Sequence, residues 1–109
     1  MPTKVLVSGF EPFGGSAVNP SQLLVEALAK EEFEGVQLDA IVLPVEFDRS
    51  AHLLLKRIAE TNPDFVVAFG QAEGRKAITP EKIAINLDNA RIPDNSGDQR
   101  QNQEIDPNG

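Results

Sequence analysis

The sequence predicts an α/β domain with a largely parallel sheet flanked by helices. Two observations carry this prediction. Short apolar runs rich in β-branched residues alternate with stretches whose apolar positions recur at helical spacing. The element order reads strand, helix, strand, helix, strand, strand, and alternation of this kind builds a parallel sheet with helices packed on it. The chain has 109 residues, enough for one small domain.

Each element has its own signal. Lys4-Val5-Leu6-Val7, closing at Gly9, reads as a buried strand. Gly9 to Asn19 holds three glycines and one proline and reads as a loop. Asn19-Pro20 starts a helix, because Asn caps well and Pro suits the first helical position. Leu24, Ala27 and Leu28 share one face of it, and Gly35 is the predicted stop. Val36 to Val45 forms a second strand region centred on Ile41-Val42-Leu43, and Pro44 makes it an edge or a strand end. Ala51, Leu54, Leu55, Ile58 and Ala59 follow the helical repeat, and Pro63 stops that helix near Asn62. Phe65 to Phe69 is fully apolar and closed by Gly70, which predicts a central parallel strand. Gly70 to Pro80 is mostly polar and turn-like. Ile83, Ile85 and Leu87 then alternate with Ala84, Asn86 and Asp88, predicting a strand with one apolar face.

After Ile92 the composition changes. Residues 94–109 carry one sizeable apolar side chain, Ile105, and read as a polar loop or disordered tail. The predicted division is therefore 1–93, a partial α/β domain, and 94–109, the tail. No helix follows the Ile83–Leu87 strand to cover its apolar side, although such a face needs another layer. The expectation is a truncated sheet.

Composition excludes several classes. The formal charge of −7 argues against a nucleic-acid binder and against an anionic membrane surface. There is no cysteine, hence no disulfide framework. The opening apolar run is too short for a signal-peptide core, and no stretch approaches transmembrane length. The expected location is cytoplasmic. The single histidine, His52, lies off the apolar stripe of its helix and reads as a surface residue, without a second histidine or a cysteine to share a metal. No metal or other cofactor is expected.

In open α/β sheets, ligands bind beyond the carboxyl ends of the strands. Two glycine-bounded loops lie at such ends: Gly9-Phe10-Glu11-Pro12-Phe13-Gly14-Gly15 and Gly70-Gln71-Ala72-Glu73-Gly74-Arg75. Neither is a phosphate cradle. The first lacks the dinucleotide fingerprint, and in the second Ala77 follows Lys76 where Ser or Thr would bind magnesium. The serine-hydrolase elbow G-x-S-x-G is absent as well. Phe10 and Phe13 suit a core plug and a pocket wall equally well. Glu81, at a strand entrance, reads as a solvated carboxylate. Arg91 and Asp94, flanking Ile92-Pro93, read as a local ion pair of small worth.

Taken together, these blocks resemble a known family. The first loop followed by Asn19-Pro20 is similar to the opening of pyroglutamyl peptidase I (pyrrolidone-carboxylate peptidase). The stretch GQAEGRKAITPEKIAIN, Gly70 to Asn86, resembles that family's glutamate signature, and ARIPDN, Ala90 to Asn95, resembles the block after it. The resemblance covers nearly the whole chain. It implies the amino-terminal, incomplete half of a phosphorylase/hydrolase-like α/β fold. It implies a cysteine exopeptidase that removes amino-terminal pyroglutamate from peptides with a Glu-Cys-His triad. It aligns Glu81 with the glutamate that orients the histidine, Phe10 and Phe13 with rings that hold the lactam, and Gln71 with the substrate loop, where it hydrogen-bonds the lactam. Arg91 aligns with a residue near the oxyanion position, and Asp94 with one that holds its loop. A homotetramer is implied for the full-length family.

Two departures qualify the resemblance. Glu73 stands where the family usually has a small residue, and the family's cysteine and histidine lie in a half not represented here. His52 belongs to the wrong element to replace that histidine. The isolated chain is therefore expected to be inactive. The alternative expectation is a stand-alone module that binds pyroglutamyl or lactam groups without chemistry.

Overall fold

A computed structural model describes residues 2–72 and 77–109. Its elements run β1 (Thr3–Phe10), α1 (Pro20–Ala29), β2 (Val36–Leu43), α2 (Arg49–Thr61) and β3 (Phe65–Ala68). The three strands form one parallel sheet in the order β2-β1-β3. β1 is central: Val5 lies opposite Leu38 on one side and Phe65 on the other. The α/β architecture expected from the alternating pattern is the one observed.

The core gathers on β1. Leu6, Val7, Val25 and Leu43 are buried, and Ser8, Asn19 and Ser21 are buried polar residues. α1 lies on the β1 face that carries Gly9. A Cβ at Gly9 would meet the Ser21 carbonyl oxygen at 2.4 Å, so only glycine lets the helix sit this close. Asn19 caps α1 with its Oδ1 accepting the Ser21 N–H, and Pro20 opens it. The helix ends at Ala29, well short of Gly35. Beyond Leu28 the buried side of the next turn would hold Glu31 and Glu32, which gain nothing from burial. Gly35, at φ +75°, instead shapes the turn into β2. Val25 is the fully buried residue of α1, whereas Ala27 faces solvent.

β2 is an edge strand that ends before Pro44, and Asn62 closes α2 in the left-handed conformation. α2 packs less deeply than its periodicity suggests. Leu54 and Ile58 are half-buried, Leu55 is 64% exposed, and Ala51 and Ala59 face solvent. Its firmest attachment is polar: Arg57 Nη1 meets both Asp39 carboxylate oxygens, at 2.8 and 3.0 Å.

Two further sequence expectations fail. β3 is not central among the described residues; it pairs with β1 alone, and all four of its residues are exposed. The predicted Ile83–Leu87 strand is absent. Residues 81–87 form neither helix nor strand, and Ile83 and Ile85 are 72% and 67% exposed. An alternating pattern makes a strand only when a neighbour accepts its ladder. Here Leu87 N–H instead turns back to Ile85 O at 2.9 Å, which breaks the extension. Residues 94–109 carry no helix or named strand, but they fold back on the chain: Asp88 and Gln103 form an antiparallel bridge, and Ala90 N–H donates to Arg100 O.

Candidate functional site

Three loops converge at the carboxyl ends of β1 and β2. The first is Gly9–Gly15, leaving β1. Phe10 N–H donates to Ser21 Oγ at 2.9 Å, and Ser21 Oγ in turn donates to Asn19 Oδ1 at 2.7 Å. Asn19 Nδ2 donates to Glu11 O at 3.1 Å, so the buried helix cap also fixes the loop. Gly14 and Gly15, at φ +61° and +79°, turn the chain behind Phe13. The second loop is Pro44–Asp48, leaving β2. Its Val45 N–H donates to the Glu11 carboxylate at 3.3 Å. The third is Arg91–Asp98. Asn95 Nδ2 donates to Pro12 O at 2.9 Å, and Asn95 N–H donates to Val45 O at 2.8 Å. Asn95 thus ties all three loops together.

Asp94 joins the second loop to the third. Its carboxylate accepts the Phe47 N–H at 2.7 Å, together with the N–H groups of Ser96 and Asp98 and the Ser96 hydroxyl. Burial pushes this carboxyl up. The hydrogen bonds from Phe47, Ser96 and Asp98 outweigh that and hold it at about 2, below the ordinary 3.8. Asp94 serves backbone groups rather than an ion pair with Arg91.

Between these loops lies a hollow of about 190 Å³ lined by Phe10, Val45, Glu46, Phe47, Ser50 and Asp94. Phe10 is therefore a wall rather than a core plug. A larger hollow, about 500 Å³, lies at the opposite, amino-terminal end of the sheet around Lys4, Asp39, Arg57 and Pro63. We favour the smaller one because it sits where parallel sheets bind ligands and is built from the motif loops.

The other sequence-predicted residues are placed unevenly. Phe13 is half-buried in the turn of the first loop. Gln71 is half-buried just past β3, where Phe69 N–H donates to Ser8 O and brings this segment to the rim beside Phe10. Arg91 is exposed at the start of the third loop, whose Ile92 Cδ1 would lie 3.4 Å from a Cβ added at Gly14. Glu81 is exposed within the irregular 81–87 segment. Glu73 lies outside the described residues, as does the remainder of that loop to Lys76. His52 is exposed on α2. Among the described residues, no group of three or more His, Cys, Asp or Glu side chains is arranged to hold a metal ion, and no helix is long and apolar enough to cross a membrane.

Sequence reasoning missed Glu11, Phe47, Asn95 and Arg100. Glu11 and Asn95 lie inside quoted motifs, so position could have flagged them, but their joint function is visible only in three dimensions. Phe47 and Arg100 carry no local signal.

The family model for pyroglutamyl peptidase matches residues 3–109. A pyrrolidone-carboxylate peptidase of Bacillus licheniformis is 55% identical over 95 residues, covering 87% of this chain and 44% of that one. Pyrrolidone-carboxylate peptidase 2 of Caldanaerobacter subterraneus is 45% identical over 106 residues, covering 97% of this chain and 51% of the relative. The crystal structure of pyroglutamyl peptidase I from Bacillus amyloliquefaciens superposes with a TM-score of 0.94 at 42% identity, covering all of this chain and 52% of that one. The chain spans about half the length of the curated relatives it matches. A family model spanning almost every residue, joined to a sheet and loops that superpose on a solved member, places this chain in the pyroglutamyl peptidase family.

Proposed function

We propose that this chain carries the substrate-pocket part of a cysteine exopeptidase that removes amino-terminal pyroglutamate from peptides. The observation that supports it best is the convergence of the Gly9–Gly15, Pro44–Asp48 and Arg91–Asp98 loops on one aromatic-walled hollow. A pyroglutamyl group is small, flat and neutral, with one amide edge. Phe10 and Phe13 supply apolar faces for the ring, and Gln71 supplies an amide to pair with its edge. In the reaction, a histidine takes the thiol proton, the thiolate attacks the carbonyl carbon of the bond after pyroglutamate, and the proton passes to the leaving amine; water then hydrolyses the thioester, releasing pyroglutamate and restoring the thiol. Glu81 orients that histidine and stabilises its charged form, and Arg91 lies toward the oxyanion. The sequence contains no cysteine, so these 109 residues supply the pocket and the orienting carboxylate but not the nucleophile. A homotetrameric assembly and a cytoplasmic location complete the reading.

The test uses the 109-residue protein. It should bind 2-pyrrolidone saturably by calorimetry and release no chromophore from a pyroglutamyl substrate. Absence of any lactam binding would remove the pocket, and turnover by this cysteine-free chain would overturn the assignment of chemistry.

A further inference from the structure

Phe47 is held more tightly than a loop residue needs to be. Its carbonyl accepts the Arg49 N–H at 2.7 Å, closing a three-residue turn on Asp48. Asp48 sits at φ 64°, ψ −50°, a rare and strained conformation for a residue with a side chain. Strain of this kind persists only where the surroundings over-determine it. What over-determines it is Arg100, 52 residues further along the chain. Its Nη2 donates to Asp48 Oδ2 at 2.6 Å and its Nη1 to Asp48 Oδ1 at 3.1 Å. The same guanidinium reaches Asp88 at 2.9 Å and Asp98 at 3.0 Å. It also lies over the Phe47 ring, 4.7 Å from its centre. With its side chain only 13% exposed, Arg100 is no ordinary surface cation. Phe47 is thus fixed at its N–H by Asp94, at its ring by Arg100, and at the following turn by the Arg100–Asp48 pair.

None of these contacts touches the core residues Leu6, Val7, Val25 and Leu43. Those to Phe47 and to the Asp48 turn beside it act on the wall of the hollow that Phe47 shares with Phe10, and those to Asp88 and Asp98 hold the guanidinium in place. We propose that Arg100 is a positioning residue of the lactam pocket: by clamping Phe47 and the strained turn at Asp48, it sets the aromatic wall against which the flat ring rests. This rests on the lactam-pocket reading above. The planar fork of arginine matters, since it alone serves three carboxylates while stacking on a ring.

The discriminating variants are Arg100→Gln and Asp48→Gly. Arg100→Gln keeps a polar side chain but loses the charge and the fork. Asp48→Gly removes the clamp's main partner while relieving the backbone strain, because glycine accepts positive φ freely. Their 2-pyrrolidone affinities and melting midpoints are measured beside the unmodified 109-residue protein. Arg100→Gln should weaken 2-pyrrolidone binding about tenfold, as expected for loss of a part-buried cation–π contact and its ion pairs. Asp48→Gly should weaken binding while its melting midpoint holds or rises, an outcome a merely structural role would not produce. Unchanged affinity in both variants, or affinity that falls only in step with stability, overturns the positioning role alone. An unmodified protein that binds no lactam overturns the pocket and the clamp together.

Discussion

The β1–α1–β2 unit and the segment from β3 to Ile92 use similar apolar residues in different ways. In the first, Leu6, Val7, Val25 and Leu43 are buried, and β1 has a strand on each side and a helix pressed against Gly9. In the second, Phe65, Val66, Val67, Ile83 and Ile85 are all more than 40% exposed. Local sequence does not separate the two. Val5-Leu6-Val7 and Val66-Val67 would score alike on any apolar scale. Position in the ladder separates them: β1 is paired on both edges and β3 on one. Burial follows from non-local partners, and the hollow walled by Phe10 and Phe47 lies on the side of the molecule that has them.

The contrast can be broken most forcefully at Leu6. Leu6→Ala removes a fully buried side chain and should cost about 2–5 kcal/mol of unfolding free energy. Ile83→Ala, on the exposed segment, should change stability by less than about 0.5 kcal/mol. Urea denaturation of the two variants measures the gap. Comparable losses would mean that the 81–87 segment is packed in solution and that the contrast is wrong.

A smaller effect sharpens the contrast at the rim. The Asp94 carboxyl is held at about 2 in the folded protein against an ordinary 3.8. A depressed folded value means that its stabilising contribution is complete above 3.8, declines as pH falls through that window, and is gone below about 2. The Phe47 amide resonance, which reports the 2.7 Å bond to Asp94, should therefore titrate with a midpoint near 2. A midpoint at or above 3.8 would show that Asp94 does not hold the Phe47 loop.

These two regions also mark what was legible in the sequence. Local rules read well: Asn19-Pro20 opens α1, Asn62 before Pro63 closes α2, and Pro44 ends an edge strand. Rules that depend on partners read poorly. The alternation at Ile83–Leu87 meets the strand criterion, yet no neighbour takes up its ladder, and the apolar run at β3 promised a central place that its single neighbour does not give. The site divides in the same way. The aromatic loop and the ARIPDN block were visible as motifs, and both lie at the rim. The tie that joins them, from Asn95 to Pro12, and the pair from Arg100 to Asp48 beside them span 83 and 52 residues and leave no periodic trace. The polar composition of residues 94–109 reads as a polar loop or disordered tail; nothing in that composition marks Arg100, whose guanidinium is held further toward its charged form by Asp48 and Asp88.

We propose that the rim at the carboxyl ends of β1 and β2 is the lactam pocket. Residue-resolved NMR of the 109-residue protein during titration with 2-pyrrolidone tests it most directly. Saturable shifts should concentrate at Phe10, Val45–Phe47, Gln71 and Asp94–Asn95. Shifts centred instead on the hollow around Lys4, Asp39 and Arg57, at the other end of the sheet, would contradict it.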